Sequence, residues 1–83
     1  QENIELKNLP IIIELSSSGA MMINDKKIEI NNLSNFIENT RKENFSEKVI
    51  INTDKNTKLN ILVNVIDIIR EIGIDKIALV TKE

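Results

Sequence analysis

The stretch KVIINTDKNTKLNILVNVIDIIREIGIDKIALVT, residues 48–81, decides the fold. Its first six residues, Lys48-Val49-Ile50-Ile51-Asn52-Thr53, form a short run around the β-branched, apolar Val49-Ile50-Ile51, which reads as a buried strand. The polar group Asp54-Lys55-Asn56-Thr57 then offers capping side chains, and apolar residues recur at helical spacing over residues 58–72. Gly73 stands where a helix needs a residue free to take positive φ, so the helix is expected to stop there. After Ile74-Asp75 the run Lys76-Ile77-Ala78-Leu79-Val80-Thr81 gives a last strand. Strand, helix and strand in this order predict a right-handed crossover with the two strands parallel.

Upstream, Pro10 opens the β-branched run Ile11-Ile12-Ile13-Glu14-Leu15, a strand ended by Ser16-Ser17-Ser18-Gly19. Ala20-Met21-Met22-Ile23, the turn Asn24-Asp25-Lys26-Lys27 and Ile28-Glu29-Ile30 read as a hairpin. Leu33, Phe36 and Ile37 fall at helical spacing within residues 32–44, with Asn32 as the expected N-cap. The whole is an α+β domain, with a small mixed sheet of about five strands and two helices on one face. Strand order is not legible at this level. Residues 1–8 are polar and read as a linker, with the domain over residues 9–83.

With 83 residues, the chain holds one small core. That core must be branched and aliphatic, because Phe36 and Phe45 are the only aromatics. The chain has no cysteine, histidine, tyrosine or tryptophan, so the usual nucleophile–base pairs and zinc sites cannot be assembled. We therefore expect no catalytic residue, no metal, no cofactor and no enzymatic activity. A net charge of −2 with interspersed signs, and no aromatic stacking platform, excludes nucleic acid as a partner. No apolar run reaches the ~20 residues that cross a bilayer. The start at Gln1, without an initiator methionine, suggests a piece of a longer protein.

Two elements carry more apolar surface than a simple fold requires. On the second helix Leu59, Leu62, Ile66 and Ile69 make one face and Ile61, Val65, Ile68 and Ile72 another, well beyond the arc of about 100° that covers a sheet. On the last strand Ile77 and Leu79 point one way, Ala78 and Val80 the other, with Thr81 beyond them. The candidate dimer or partner interface is therefore Ile61, Val65, Ile68, Ile72, Ile77, Ala78, Leu79, Val80 and Thr81. Met21 and Met22 read as gap-filling residues. Asp54, Asp67 and Asp75 read as a helix entry, a solvated strip and a turn, and the Ser16–Gly19 loop as a plain connector.

Taken in order, the strand Ile11-Ile12-Ile13-Glu14-Leu15, the hairpin from Gly19 through Ile23-Asn24-Asp25 to Ile30, Thr53-Asp54-Lys55, and the closing Val65-Ile66-Asp67-Ile68-Ile69 with Ile72-Gly73-Ile74 and Lys76 to Thr81 resemble the periplasmic domain of the ExbD/TolR family. The resemblance implies a single-pass inner-membrane protein whose N-terminal transmembrane helix lies before Gln1, with this domain in the periplasm. It implies a proton-motive-force-driven complex with an ExbB/TolQ-like channel protein, in which the domain dimerises and engages a TonB- or TolA-like protein. A peptidoglycan-binding anchor of the TolR kind stays open as an alternative, as does a small ligand-binding α+β domain outside the family. The family's proton-carrying membrane aspartate is none of Asp25, Asp54, Asp67 or Asp75.

Overall fold

The computed structural model describes residues 9–44 and 48–82. The linker expected over residues 1–8 lies outside them. Element order is β1 (Ile11–Leu15), β2 (Met21–Ile23), β3 (Lys26–Ile28), α1 (Ile30–Asn44), β4 (Lys48–Asp54), α2 (Leu59–Glu71) and β5 (Lys76–Lys82). The strands form one mixed sheet in the order β3-β2-β1-β4-β5. The N-terminal meander is antiparallel, whereas β1, β4 and β5 run parallel, so α2 connects two adjacent parallel strands as the sequence predicts.

Strand alternation sorts the sheet into two faces. Ile11, Ile13 and Leu15 of β1, Met21 and Ile23 of β2, and Val49 and Ile51 of β4 are buried, while Ile12 and Met22 between them are exposed. Leu33 and Ile37 of α1 and Val65 and Ile69 of α2 close on the first set in one core. Both helices therefore cover the same face, and among the described residues the other has no second layer. Each fully buried aliphatic chain contributes about 1.5–3 kcal/mol relative to exposure, so these side chains supply most of the drive to fold.

Element ends differ from expectation in two places, each for a local reason. The hairpin turn is only Asn24-Asp25, with φ of 55° and 66°, a type I′ geometry that both residues tolerate. This tight turn draws Lys26 and Lys27 into β3, and α1 starts at Ile30, so Asn32 is not the N-cap but lies in the first turn, its amide bonded to Glu29 O at 2.8 Å. At α2 the N-cap is Lys58, without a side-chain cap bond. The polar residues expected to cap it bond elsewhere instead: Asp54 Oδ1 accepts from Asn56 N at 2.8 Å within the turn, and Thr57 Oγ1 donates to Ser16 O of the β1–β2 connection at 3.4 Å.

The C-terminal end of α2 follows the sequence reading. Gly73 has φ 105°; its amide bonds Arg70 O at 3.0 Å and the Ile74 amide bonds Ile69 O at 3.4 Å, while the Ile69 and Ile74 side chains are both buried. Arg41 Nη1 of α1 donates to Ile72 O at 3.0 Å, placing a cation at the negative end of α2. A methyl group on Gly73 would meet nothing closer than Arg41 Nη1 at 3.9 Å, so substitution strains only the backbone. Gly73→Ala is expected to cost about 1–2 kcal/mol, read as a lower urea midpoint with an unchanged slope. An unshifted midpoint would show that the positive φ stores no strain.

Candidate partner-binding edge

Among the described residues β5 ends the sheet, so one side of its backbone has no strand partner there. Register with β4 sets Ile77, Leu79 and Thr81 on the helix side, beside Val49, Ile51 and Thr53, and Ala78 and Val80 on the open side, beside Ile50 and Asn52. At this edge Leu79 is 50% exposed and Val80 47%. Apolar side chains thus stand bare on both faces of one edge strand.

Beside this strand lies a shallow groove of about 350 Å³ lined by Ile66, Arg70, Asp75, Ile77 and Leu79. It exists because α2 sits over the sheet with Val65 and Ile69 pointing inward, and at about 100° per residue Leu59, Val63, Ile66 and Arg70 fall on one flank. Leu59 and Val63 on that flank are exposed. The apolar surface of α2 therefore continues toward the β5 edge.

The predicted interface residues do not all share this surface. Ile77, Ala78, Leu79, Val80 and Thr81 lie together on β5. Val65 is wholly buried in the core and supports the surface from beneath. Ile61, Ile68 and Ile72 are half-buried against the core on the opposite flank of α2. There Ile61 Cδ1 comes within 3.6 Å of where a Cβ on Gly19 would stand, and the Ile72 carbonyl is bonded by Arg41. The surplus face of α2 is thus half-buried, with Ile61 beside the Gly19 loop, and the flank beside β5 is the Leu59, Val63 and Ile66 side. Helical periodicity finds both faces but cannot tell which one a neighbour in space will cover.

One polar network crosses the open face. Asn52 Nδ2 donates to Glu14 Oε2 at 3.0 Å, and Glu14 Oε1 pairs with the Lys82 ammonium, tying β1, β4 and the end of β5 together. The bond from Lys82, then that from Asn52, hold the Glu14 carboxyl below its ordinary value of 4.5, against a smaller opposing effect of burial. A depressed carboxyl stabilises the fold above its unfolded value, and that contribution disappears as pH falls through the folded one. The pair is half in water, so the effect is small. Glu14→Gln is expected to flatten the dependence of the urea midpoint on pH below 4.5, and an identical acid limb in both proteins would rule the linkage out.

Asp54 serves its turn, Asp67 is exposed on α2, and Asp75 lies in the turn before β5. Among the described residues no three acids, histidines or cysteines gather to hold a metal. Met21 is buried as a core residue, whereas Met22 is exposed on the open face. The family model described as Biopolymer transport protein ExbD/TolR matches residues 1–83.

The chain belongs to the ExbD/TolR family.

Its place is therefore as a component of a biopolymer-transport, energy-transducing complex. ExbD/TolR proteins are membrane-associated, work in general with ExbB/TolQ- and TonB/TolA-type partners, and are not known as enzymes. No curated protein matches the chain as an individual relative. Among the described residues no helix is long and apolar enough to cross a membrane.

Proposed function

We propose that this chain is the extracytoplasmic interaction domain of a proton-motive-force-driven complex of the ExbB-ExbD-TonB or TolQ-TolR-TolA type. It is joined through residues 1–8 to a single membrane helix in the inner membrane, it pairs with a second copy along β5, and the pair presents a sheet edge or groove to an extended partner segment. The observation that carries this reading is the unpaired β5 edge, apolar on both faces. A strand edge of this kind binds by completing its backbone hydrogen bonds, while alternate side chains select the partner.

The sequence of β5, Lys-Ile-Ala-Leu-Val-Thr-Lys, also reads nearly alike from both ends. A two-fold axis through Leu79 sets Leu79 against Leu79 of the second copy, Ala78 against Val80, and Ile77 against Thr81. Lys76 meets Lys82, whose charge is already matched by Glu14. The same axis brings the exposed Leu59 and Val63 flanks of the two α2 helices toward each other, over the groove that Leu79 lines.

The chain has no cysteine, so disulfide trapping can read this register directly. Leu79→Cys is expected to give a covalent dimer on mild oxidation, since opposed strand positions lie within disulfide reach. Ala78→Cys alone should link poorly but join Val80→Cys when the two are mixed. Linking no faster than at Asn60→Cys, an exposed position on α2, would overturn the pairing.

A further inference from the structure

The first strand of the chain stands at the centre of the sheet. β1 is third in the order β3-β2-β1-β4-β5, and it runs parallel to β4, which in turn runs parallel to β5. Register aligns the three: Ile11, Val49 and Ile77 share one end, and Leu15, Thr53 and Thr81 the other. The chain thus enters β1 at one end of the sheet and leaves β5 at the opposite end, with β4 held between them. A pull on these two ends runs along the strands, so it loads all the backbone bonds of a ladder together rather than one after another. Five register pairs join β1 to β4 and seven join β4 to β5, so the β1–β4 ladder is the one that must yield first.

Side chains oppose the same slip. Because alternate residues point to opposite faces, sliding β1 by one position, about 3.3 Å, would turn Ile11, Ile13 and Leu15 out of the core and Ile12 and Glu14 into it. On the open face Asn52 Nδ2 of β4 donates to Glu14 Oε2 and the Lys82 ammonium of β5 pairs with Glu14 Oε1, so one carboxylate spans all three strands. The β2–β3 hairpin hangs on the far side of β1 and both helices lie on one face, so none of them stands between the loaded ends.

We propose that the domain is a load-bearing clamp: tension entering along the chain before β1 crosses the β1–β4–β5 ladders and leaves at β5, with Glu14 as a side-chain tie, and the fold resists this pull far better than a pull across the strands. The clamp is a property of strand order and register. Its use in the complex rests on the proposed function, in which a membrane anchor lies on the β1 side of the ladders and a bound strand on the β5 side.

The chain has no cysteine, so handles for single-molecule force spectroscopy can be placed in chosen pairs. With handles at Leu9→Cys and Glu83→Cys, the pull shears the ladders. At Leu9→Cys and Asp75→Cys, two exposed positions beside the same end of the sheet, it peels the strands apart instead. At one pulling speed the shear pair is expected to unfold at a force about twofold or more above the peel pair, since forced unfolding is governed by the rate of leaving the native state in the direction pulled. Glu14→Ala should lower the shear force and leave the peel force unchanged, because peeling begins at the Ile11 end and Glu14 lies near the far end of β1. Equal forces in the two geometries, or a Glu14→Ala effect of the same size in both, would overturn the proposal. Single molecules are read, so pairing along β5 plays no part: a high shear force without a Leu79 disulfide keeps the clamp and loses the pairing, and the reverse result loses the clamp alone.

Discussion

Leu79→Lys is expected to abolish self-association while leaving the domain folded. In the two-fold register each Leu79 faces its own copy, so a single substitution places two ammonium groups together where two apolar side chains were to be buried. The loss combines the burial of two leucine side chains with like-charge repulsion at close range, and a dissociation constant at least tenfold weaker is expected, about 1.4 kcal/mol or more. The fold should tolerate the change because Leu79 is half exposed and a lysine stem can lie in the groove beside Ile66 and Ile77 with its charge in water. Sedimentation equilibrium with circular dichroism on the same samples makes the measurement. A folded variant that associates as well as the parent would remove β5 as the pairing edge. A membrane helix encoded upstream of Gln1, carrying an aspartate in its apolar span, would independently support the rest of the proposed function.

Ile51→Ala should have the largest effect on stability. Ile51 lies on β4, between Ile13 of β1 and Leu79 of β5 in register, and is fully buried beneath the helices. Truncation loses the transfer free energy of the removed groups and leaves a cavity that surrounding strands cannot close, for a cost of about 2–5 kcal/mol. A domain of this size has roughly 4–12 kcal/mol in total, so a substantial fraction is removed. Ile50→Ala, one residue away on the open face, leaves no enclosed cavity and should cost much less. Urea unfolding of the pair tests the assignment of the two faces, and equal losses would contradict it.

These paired isoleucines also mark how far the sequence could be read. The run Val49-Ile50-Ile51 announces a strand but carries no alternation, so nothing in it says which isoleucine faces the helices. Register with β1 decides that, through the alternation of buried Ile11, Ile13 and Leu15 with exposed Ile12 and half-buried Glu14. The same limit applies to α2. Its two apolar faces were legible from periodicity, but their separate fates depend on contacts such as that with the Gly19 loop, which lies far away in sequence. As a result the predicted trio Ile61, Ile68 and Ile72 packs inward, and the flank of Leu59, Val63 and Ile66 stands beside the edge. Capping differs from expectation for a related reason: Asp54 can satisfy either a helix start or a turn, and continuation of β4 to Asp54 gives it to the turn, while the Thr57 hydroxyl bonds Ser16 O, far away in sequence.

The α+β class, the five strands and two helices, the strand–helix–strand crossover, the stop at Gly73 and the absence of chemistry that needs histidine or cysteine follow from the sequence alone. Each rests on local physics: side-chain branching, helical or alternating spacing, a glycine's access to positive φ, or residue types that are simply missing. Only the tertiary structure decided that, among the described residues, β5 is an edge and one sheet face lacks a covering layer, which flank of α2 adjoins the edge, and that Lys48 stands beside Lys76. Those features depend on strand order and register, which arise from contacts between residues distant in the chain, and no local preference encodes them.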